Sequence, residues 1–363
     1  MEKGQVFENR YKIIKLLKNR SSYQVYKVLD KNNRKKISLK LFSKSSLQFS
    51  IEKESLSILS SVPGIPKLIG FDSSTQHNYL AYELLGDSLQ ELYSNRRFSL
   101  GCVLEISSQL LTILELLHSY SFIHRDLKPE NIYRGSRGTD KKTKIYLGNF
   151  GICKRYRDPI SKVHLRYSEY SGINGNLLFC SANANIGIEQ SRRDDIESWF
   201  YIILFFIKGS LPWEIQAKNE STVAVKNLKI NTSIETLCEK TPVGFQAIFS
   251  YIKMLKYNEK PNYDYLKGVL MNIAGNKIKL ELDWSFKNYS ASSLMVQKNK
   301  EKEKRSKSEI FSEDDFKMIN NETKERNNSF NLNENERRQK KTIICEYPEF
   351  KSRKVTIKIV LNS

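Results

Sequence analysis

The chain has 363 residues and carries 60 Lys and Arg against 40 Asp and Glu, a net charge of +20. That length holds one two-lobed domain of roughly 280 residues plus a tail; the charge favours acidic or phosphorylated partners, and a solvated basic surface is the plainer reading. The cysteines, Cys102, Cys153, Cys180, Cys238 and Cys345, show no CxxC pair or His cluster, which argues against a zinc site or a disulfide framework and for small apolar residues in a reducing compartment, cytoplasmic or nuclear.

In chain order, Met1 to Arg10 lacks the apolar core of a secretion signal. Tyr11 to Leu17, Gln24 to Leu29 and Lys36 to Phe42 are rich in β-branched and aromatic residues and read as strands between polar turns. Ile51 to Val62 carries apolar residues at helical spacing and stops at Pro63-Gly64, which predicts a short amphipathic helix. Tyr79 to Leu85 reads as another strand. From there the pattern turns helical. Val103 to Leu117 is apolar along one helix face, and Asp194 to Ile207 is apolar almost all round. Its longest apolar run, Trp199 to Ile207, ends at Lys208 and is too short to span a bilayer. A small β-rich half before a larger helical half predicts an α+β chain of two lobes with a cleft between them. The expected domain runs over 10–286, with lobes at about 10–86 and 87–286. Residues 290–341 are rich in Lys, Glu, Asn and Ser, a disordered or linker composition within a polar tail of 287–363. Val355, Ile357 and Ile359 suggest short strands within 342–361.

The strongest chemical signal is Ile123-His-Arg-Asp-Leu-Lys-Pro-Glu-Asn131, just after the long helix. Asp126 can accept the proton of an attacking hydroxyl, Lys128 can neutralise a transferring phosphoryl group, and Asn131 can hold a metal ion. The run resembles the catalytic loop of protein kinases, in its serine/threonine form by Lys128. Upstream, Lys40 closes Ile37-Ser-Leu-Lys40, and Ser38 shares its strand face by the period of two. A lone strand lysine is usually a surface residue; the order and distance before the helix single this one out. Glu52 and Glu54 are its candidate partners. Two residues apart on a helix they point to nearly opposite sides, so only one can reach Lys40.

Several runs together resemble the casein kinase I family over about Arg10 to Phe286. They are Glu83-Leu-Leu-Gly-Asp-Ser-Leu89, Phe122 to Pro129, Lys154-Arg-Tyr-Arg-Asp158, Gly187-Ile-Glu-Gln-Ser-Arg-Arg-Asp-Asp195, Gly209-Ser-Leu-Pro-Trp213 and Lys260-Pro-Asn-Tyr-Asp-Tyr-Leu266. Ser181-Ala-Asn183 stands where ordinary kinases carry A-P-E, as in that family. The resemblance implies a bilobal kinase fold and ATP with Mg²⁺ as cofactors. It also implies Asp126, Lys128 and Asn131 as catalytic residues, and Lys40, Glu52, Val25, Glu83, Leu85 and Tyr133 around the nucleotide. Asn131 and Asn149 take the metal positions, Glu52 is the better match for the Lys40 partner, and Asp195 braces the catalytic loop.

Against that pattern the chain departs in four places. Asn149-Phe-Gly151 replaces D-F-G, so a neutral amide stands where Mg²⁺ prefers a carboxylate. That change alone weakens catalysis on the order of 10³-fold, although an amide oxygen remains available. The glycine loop reads Lys18-Asn-Arg-Ser-Ser-Tyr23, with side chains at all three glycine positions. They hinder backbone approach to phosphate, unless Lys18 or Arg20 binds it by charge. Tyr133 replaces a leucine beneath the base, where it can fill the site or stack on the ring; Tyr82 is the gatekeeper. On the substrate side Leu178 replaces an arginine that reads phosphate, and Asn176 replaces a threonine.

Three functions follow. The first is a catalytically impaired pseudokinase serving as scaffold or regulator of a protein partner. The second is a slow ATP-dependent serine/threonine kinase with protein substrates. The third, a polyanion-binding module, lacks any nucleic-acid motif to support it.

Overall fold

The computed structural model describes residues 1–285 apart from 137–139, 170–171 and 173–174. The tail of 287–363 and its expected strands at 342–361 lie outside the described residues.

The N-terminal lobe is a six-stranded antiparallel sheet. Its strands are β1 (Val6–Phe7), β2 (Tyr11–Asn19), β3 (Tyr23–Asp30), β4 (Lys35–Ser43), β5 (Leu68–Ser73) and β6 (His77–Glu83), in spatial order β1-β2-β3-β4-β6-β5. One face packs on itself through Tyr11, Ile13, Tyr26, Val28, Leu39 and Tyr79. β4 is buried from Ile37 to Phe42 because it is central and its other face closes the cleft. Helix α1 (Leu47–Leu59) lies against β5 and β6.

In this lobe the helix and two strands depart most from the sequence reading. The helix expected over Ile51 to Val62 begins earlier and ends at Leu59, because 61–64 form a turn in which Ile65 N–H returns to Val62. The strand expected over Tyr79 to Leu85 is shifted to His77–Glu83, and Leu84 and Leu85 belong to the connection between the lobes. β5 was not anticipated. It is an edge strand with an irregular register at Gly70, and it buries little, so it lacks clean alternation.

The C-terminal lobe is helical. It comprises α2 (Leu89–Asn95), α3 (Leu100–Ser119), α4 (Ala182–Asn185), α5 (Arg192–Lys208), α6 (Glu214–Lys218), α7 (Thr222–Asn231), α8 (Ile234–Leu237), α9 (Gly244–Met254) and α10 (Tyr263–Ala274). Short strands β7 (Phe122–Ile123) and β10 (Lys154–Arg155) pair, as do β8 (Ile132–Arg134) and β9 (Ile145–Leu147). α3 and α5 form the core, with Trp199 Nε1 donating to Ser107 O at 3.0 Å. α3 has the length and composition to cross a membrane, which the sequence reading did not single out. Here it is the central core helix, packed on α5 and α10. The caps follow the sequence. Ser99 Oγ accepts from Cys102 N–H at the start of α3, Ser88 and Glu91 form a capping box on α2, and α5 ends at Gly209 with φ +85°. The α+β, two-lobed expectation holds.

Candidate active site

The sheet of the first lobe and the β8–β9 hairpin of the second enclose a cleft of about 590 Å³. β4 places Ser38 and Lys40 in it side by side, as the strand period requires. Lys40 and Glu52 are both buried, and Lys40 Nζ donates to Glu52 Oε2 at 2.6 Å. Glu54 is the solvent-side residue of the pair, mostly exposed, with Arg155 at 3.5 Å. Burial pushes the Lys40 pKa down, and the Glu52 carboxylate opposes that shift.

The Ile123 to Asn131 segment forms the opposite wall. Its backbone is held by Asp195, whose carboxylate accepts from His124 N–H at 2.7 Å and Arg125 N–H at 3.0 Å and pairs with His118 Nε2 at 3.0 Å. Burial works against the Asp195 charge, yet these contacts hold its pKa below the usual carboxylate range. Asp126 Oδ2 receives Asn131 Nδ2 at 2.9 Å, and Lys128 Nζ lies 3.3 Å from it. The structure thus brings Asp126, Lys128 and Asn131 together.

Asn149 sits between the two walls. Its Oδ1 accepts from Lys40 Nζ at 3.0 Å and its Nδ2 donates to Asp126 Oδ2 at 3.1 Å. Its φ of +68° is one that asparagine tolerates better than most residues. The amide thus joins Lys40 to Asp126 as a neutral bridge. The sequence expectation put a metal position at Asn149. Its side-chain oxygen is engaged by an ammonium, and its amide nitrogen donates to the Asp126 carboxylate. Asn131, the other expected metal position, offers an amide as well. Among the described residues no group of three His, Cys, Asp or Glu side chains could hold a metal ion. The donor set does not fit Mg²⁺, a hard cation that prefers charged oxygens.

The glycine-less loop closes over the other end. Lys18 Nζ donates to the Glu130 carbonyl at 2.8 Å and to the Tyr133 hydroxyl at 2.5 Å, and Arg20 meets the Glu130 carboxylate at 3.1 Å. Burial pushes the Lys18 pKa down to about 8, with Glu130 opposing. The Tyr23 ring centre is 3.9 Å from Lys40 Nζ, and burial raises the Tyr23 pKa to about 12.

Val25, Leu85, Tyr82 and Tyr133 line the cleft as expected. Glu83 does not: its carboxylate turns away to Lys67 N–H at 3.0 Å and Lys141 Nζ at 2.7 Å. Leu178 packs against the core, and its carbonyl accepts from Trp213 Nε1. Asn176 uses its side-chain oxygen on the Leu178 and Phe179 N–H groups, an Asx turn rather than a contact with Asp126.

Sequence reasoning missed two residues. Glu130 anchors both cations of the loop, and lay unread inside the most prominent motif. Gly148 lies beside Tyr133, and a Cβ there would come 3.1 Å from the ring. The signal was a glycine directly before Asn149, paired with an oversized residue beneath the base.

A family model described as the protein kinase domain matches residues 11–243. The chain belongs to the protein kinase domain family. In this kinase domain the matched span covers the whole sheet from β2 onward, the Ile123 to Asn131 loop, Asn149 and α5.

Proposed function

We propose that this kinase domain is of the casein kinase I type, that its phosphotransfer is lost or greatly weakened, and that it serves as a scaffold or regulator of a protein partner. The observation that carries the reading is the Asn149 bridge between Lys40 and Asp126. A phosphoryl transfer site must neutralise charge that develops on the phosphoryl oxygens. Here the lysine, the metal position and the base are tied to one another by a neutral amide. The plugged loop adds to this: Lys18 and Arg20 are bonded across to Glu130, and Tyr23 covers Lys40. On the substrate side, Leu178 supplies no charge for an acidic or phosphorylated peptide. The buried free thiols Cys102, Cys153, Cys180 and Cys238 suit a reducing compartment, cytoplasmic or nuclear.

A slow serine/threonine kinase using ATP is the second reading. It is favoured by the intact Lys40–Glu52 pair and the ordered Asp126, Lys128 and Asn131 set.

The two readings separate in a phosphotransfer assay on casein and acidic peptides, with Asp126→Asn as control. The first expects transfer that is absent or far below the ordinary kinase range. Turnover in the ordinary kinase range of ~1–100 s⁻¹ that vanishes in Asp126→Asn rejects it.

A further inference from the structure

The roof of the cleft carries two cations that the function proposed above does not use. Lys15 on β2 and Lys27 on β3 are direct cross-strand partners. Lys27 in turn faces Ser38 on β4, and Ser38 faces Tyr82 on β6. All four line the cleft, so one transverse row of the sheet presents Lys, Lys, Ser and Tyr to it. Like charges directly opposite across antiparallel strands are destabilising. The carboxylates on the same cleft are committed elsewhere. Glu52 holds Lys40 at 2.6 Å, Asp87 holds Arg134 at 2.6 Å, and Glu91 closes the capping box of α2. Among the described residues neither Lys15 nor Lys27 has an ion-pair partner.

The deeper cations are the reverse case. Lys40 has Glu52, Asn149 and the Tyr23 ring, and Lys18 has the Glu130 carbonyl and the Tyr133 hydroxyl. A phosphate at the buried end would have to break these contacts. A phosphate at the exposed end meets two uncommitted ammonium groups. Between the ends, Leu17 and Val25 from the roof and Tyr133 from the floor leave an apolar slot. Gly148 lets the Tyr133 ring lie low beside it. Such a slot suits a flat aromatic ring.

We propose that the cleft binds a nucleoside phosphate as the metal-free anion, with its base between Val25 and Tyr133 and its phosphate on Lys15 and Lys27 at the mouth. The inference deepens the reading of a cleft without phosphotransfer and rests on it. The phosphate sits at the end away from Asp126, and lysines replace the countercharge that a metal ion would bring.

Calorimetric titration of the full chain with adenosine, AMP and ADP tests this, first in EDTA and then in Mg²⁺. In EDTA, ADP and AMP bind at least about tenfold more tightly than adenosine, and Mg²⁺ leaves that affinity unchanged or lowers it. Lys15→Gln combined with Lys27→Gln erases the preference for the phosphates and leaves adenosine binding intact. Thermal unfolding of the variant shows a midpoint no lower than the parent, since repulsion is removed, so lost affinity does not reflect lost fold. Lys15→Gln alone, at an exposed strand position, shifts affinity in the same direction. Equal affinity for adenosine and ADP, unchanged ADP binding in the double variant, or no binding of any of the three overturns the proposal. A phosphotransfer assay on the same samples separates the two failures. No binding without transfer removes this inference alone. Mg²⁺-dependent ADP binding accompanied by transfer removes it together with the function proposed above.

Discussion

The centre of the Tyr23 ring lies 3.9 Å from the Lys40 ammonium. Register explains the contact: Val25 pairs with Lys40, and Tyr23 is two residues along on the same face of β3. A desolvated ammonium gains about 2 kcal/mol from an aromatic face at such range. Under the function proposed above, Tyr23 takes the third glycine position of the phosphate loop, and an internal partner occupies the space beside Lys40.

Restoring the carboxylate alone does not restore activity. Under the function proposed above, Asn149→Asp returns one charge to the site and leaves Lys18, Arg20 and Tyr23 where phosphates would lie. Positioning and charge neutralisation act on one bound ligand, so their repairs combine non-additively. Steady-state kinetics are expected to show a larger gain for Asn149→Asp with glycine at 18, 20 and 23 than the product of the separate gains. Family-level kcat from Asn149→Asp alone contradicts this.

The same substitution has a consequence for stability. Asn149 Nδ2 donates to Asp126 Oδ2 at 3.1 Å, so an aspartate there sets two carboxylates face to face. Asn149→Asp is expected to lose about 1–2 kcal/mol in EDTA, a fall of a few degrees in Tm. Added Mg²⁺ recovers the loss in the variant and leaves the parent unmoved. Calorimetry with and without Mg²⁺ decides it, and an undiminished Tm in EDTA argues against the bridge.

Tyr133 and Gly148 are expected to behave as a coupled pair. A Cβ at 148 meets the ring at 3.1 Å, and the Lys18 hydrogen bond restrains the ring. Gly148→Leu should destabilise by about 1–3 kcal/mol through overpacking. Tyr133→Leu in the same chain removes the obstacle and recovers most of it. A double-mutant cycle by denaturant unfolding measures the coupling, and additivity of the two changes is the contrary result.

Lys18 makes the fold sensitive to pH above neutrality. Its folded pKa is depressed to about 8 by burial, against about 10.4 for an unfolded lysine. Between those values the unfolded chain binds the additional proton, so stability attributable to Lys18 rises with pH across that window. The unfolding free energy of the parent minus that of Lys18→Met is the measurement that isolates it. This difference should climb from about pH 8 to 10; a flat or falling difference shows that Lys18 titrates normally.

Much of the site was legible because its chemistry is local in sequence. The Ile123 to Asn131 run carries its roles in adjacent residues, and the period of two put Ser38 and Lys40 on one face. Helical geometry restricted the Lys40 partner to one of Glu52 and Glu54, and the buried pair is Lys40–Glu52. Less legible were edge strand β5, whose exposed residues lack alternation, and the start of α1, where Ser46 makes no side-chain cap hydrogen bond.

Sequence by itself determined the two-lobed α+β architecture, the Asp126, Lys128 and Asn131 cluster, the bracing Asp195, and a Lys18 to Tyr23 loop without glycine before a neutral Asn149. These follow from residue type and spacing, which act within one element or one turn. Only the tertiary structure decided what the substituted residues do instead. Lys18 and Glu130 are 112 positions apart and Lys40 and Asn149 are 109 apart, and no periodicity relates them. Asn149 could have offered its oxygen to a metal, and Tyr133 could have risen into the base site. Packing of the two lobes brought the Lys40 ammonium to one face of the Asn149 amide, and the fold of the second lobe set the Asp126 carboxylate on the other and Gly148 beside the Tyr133 ring.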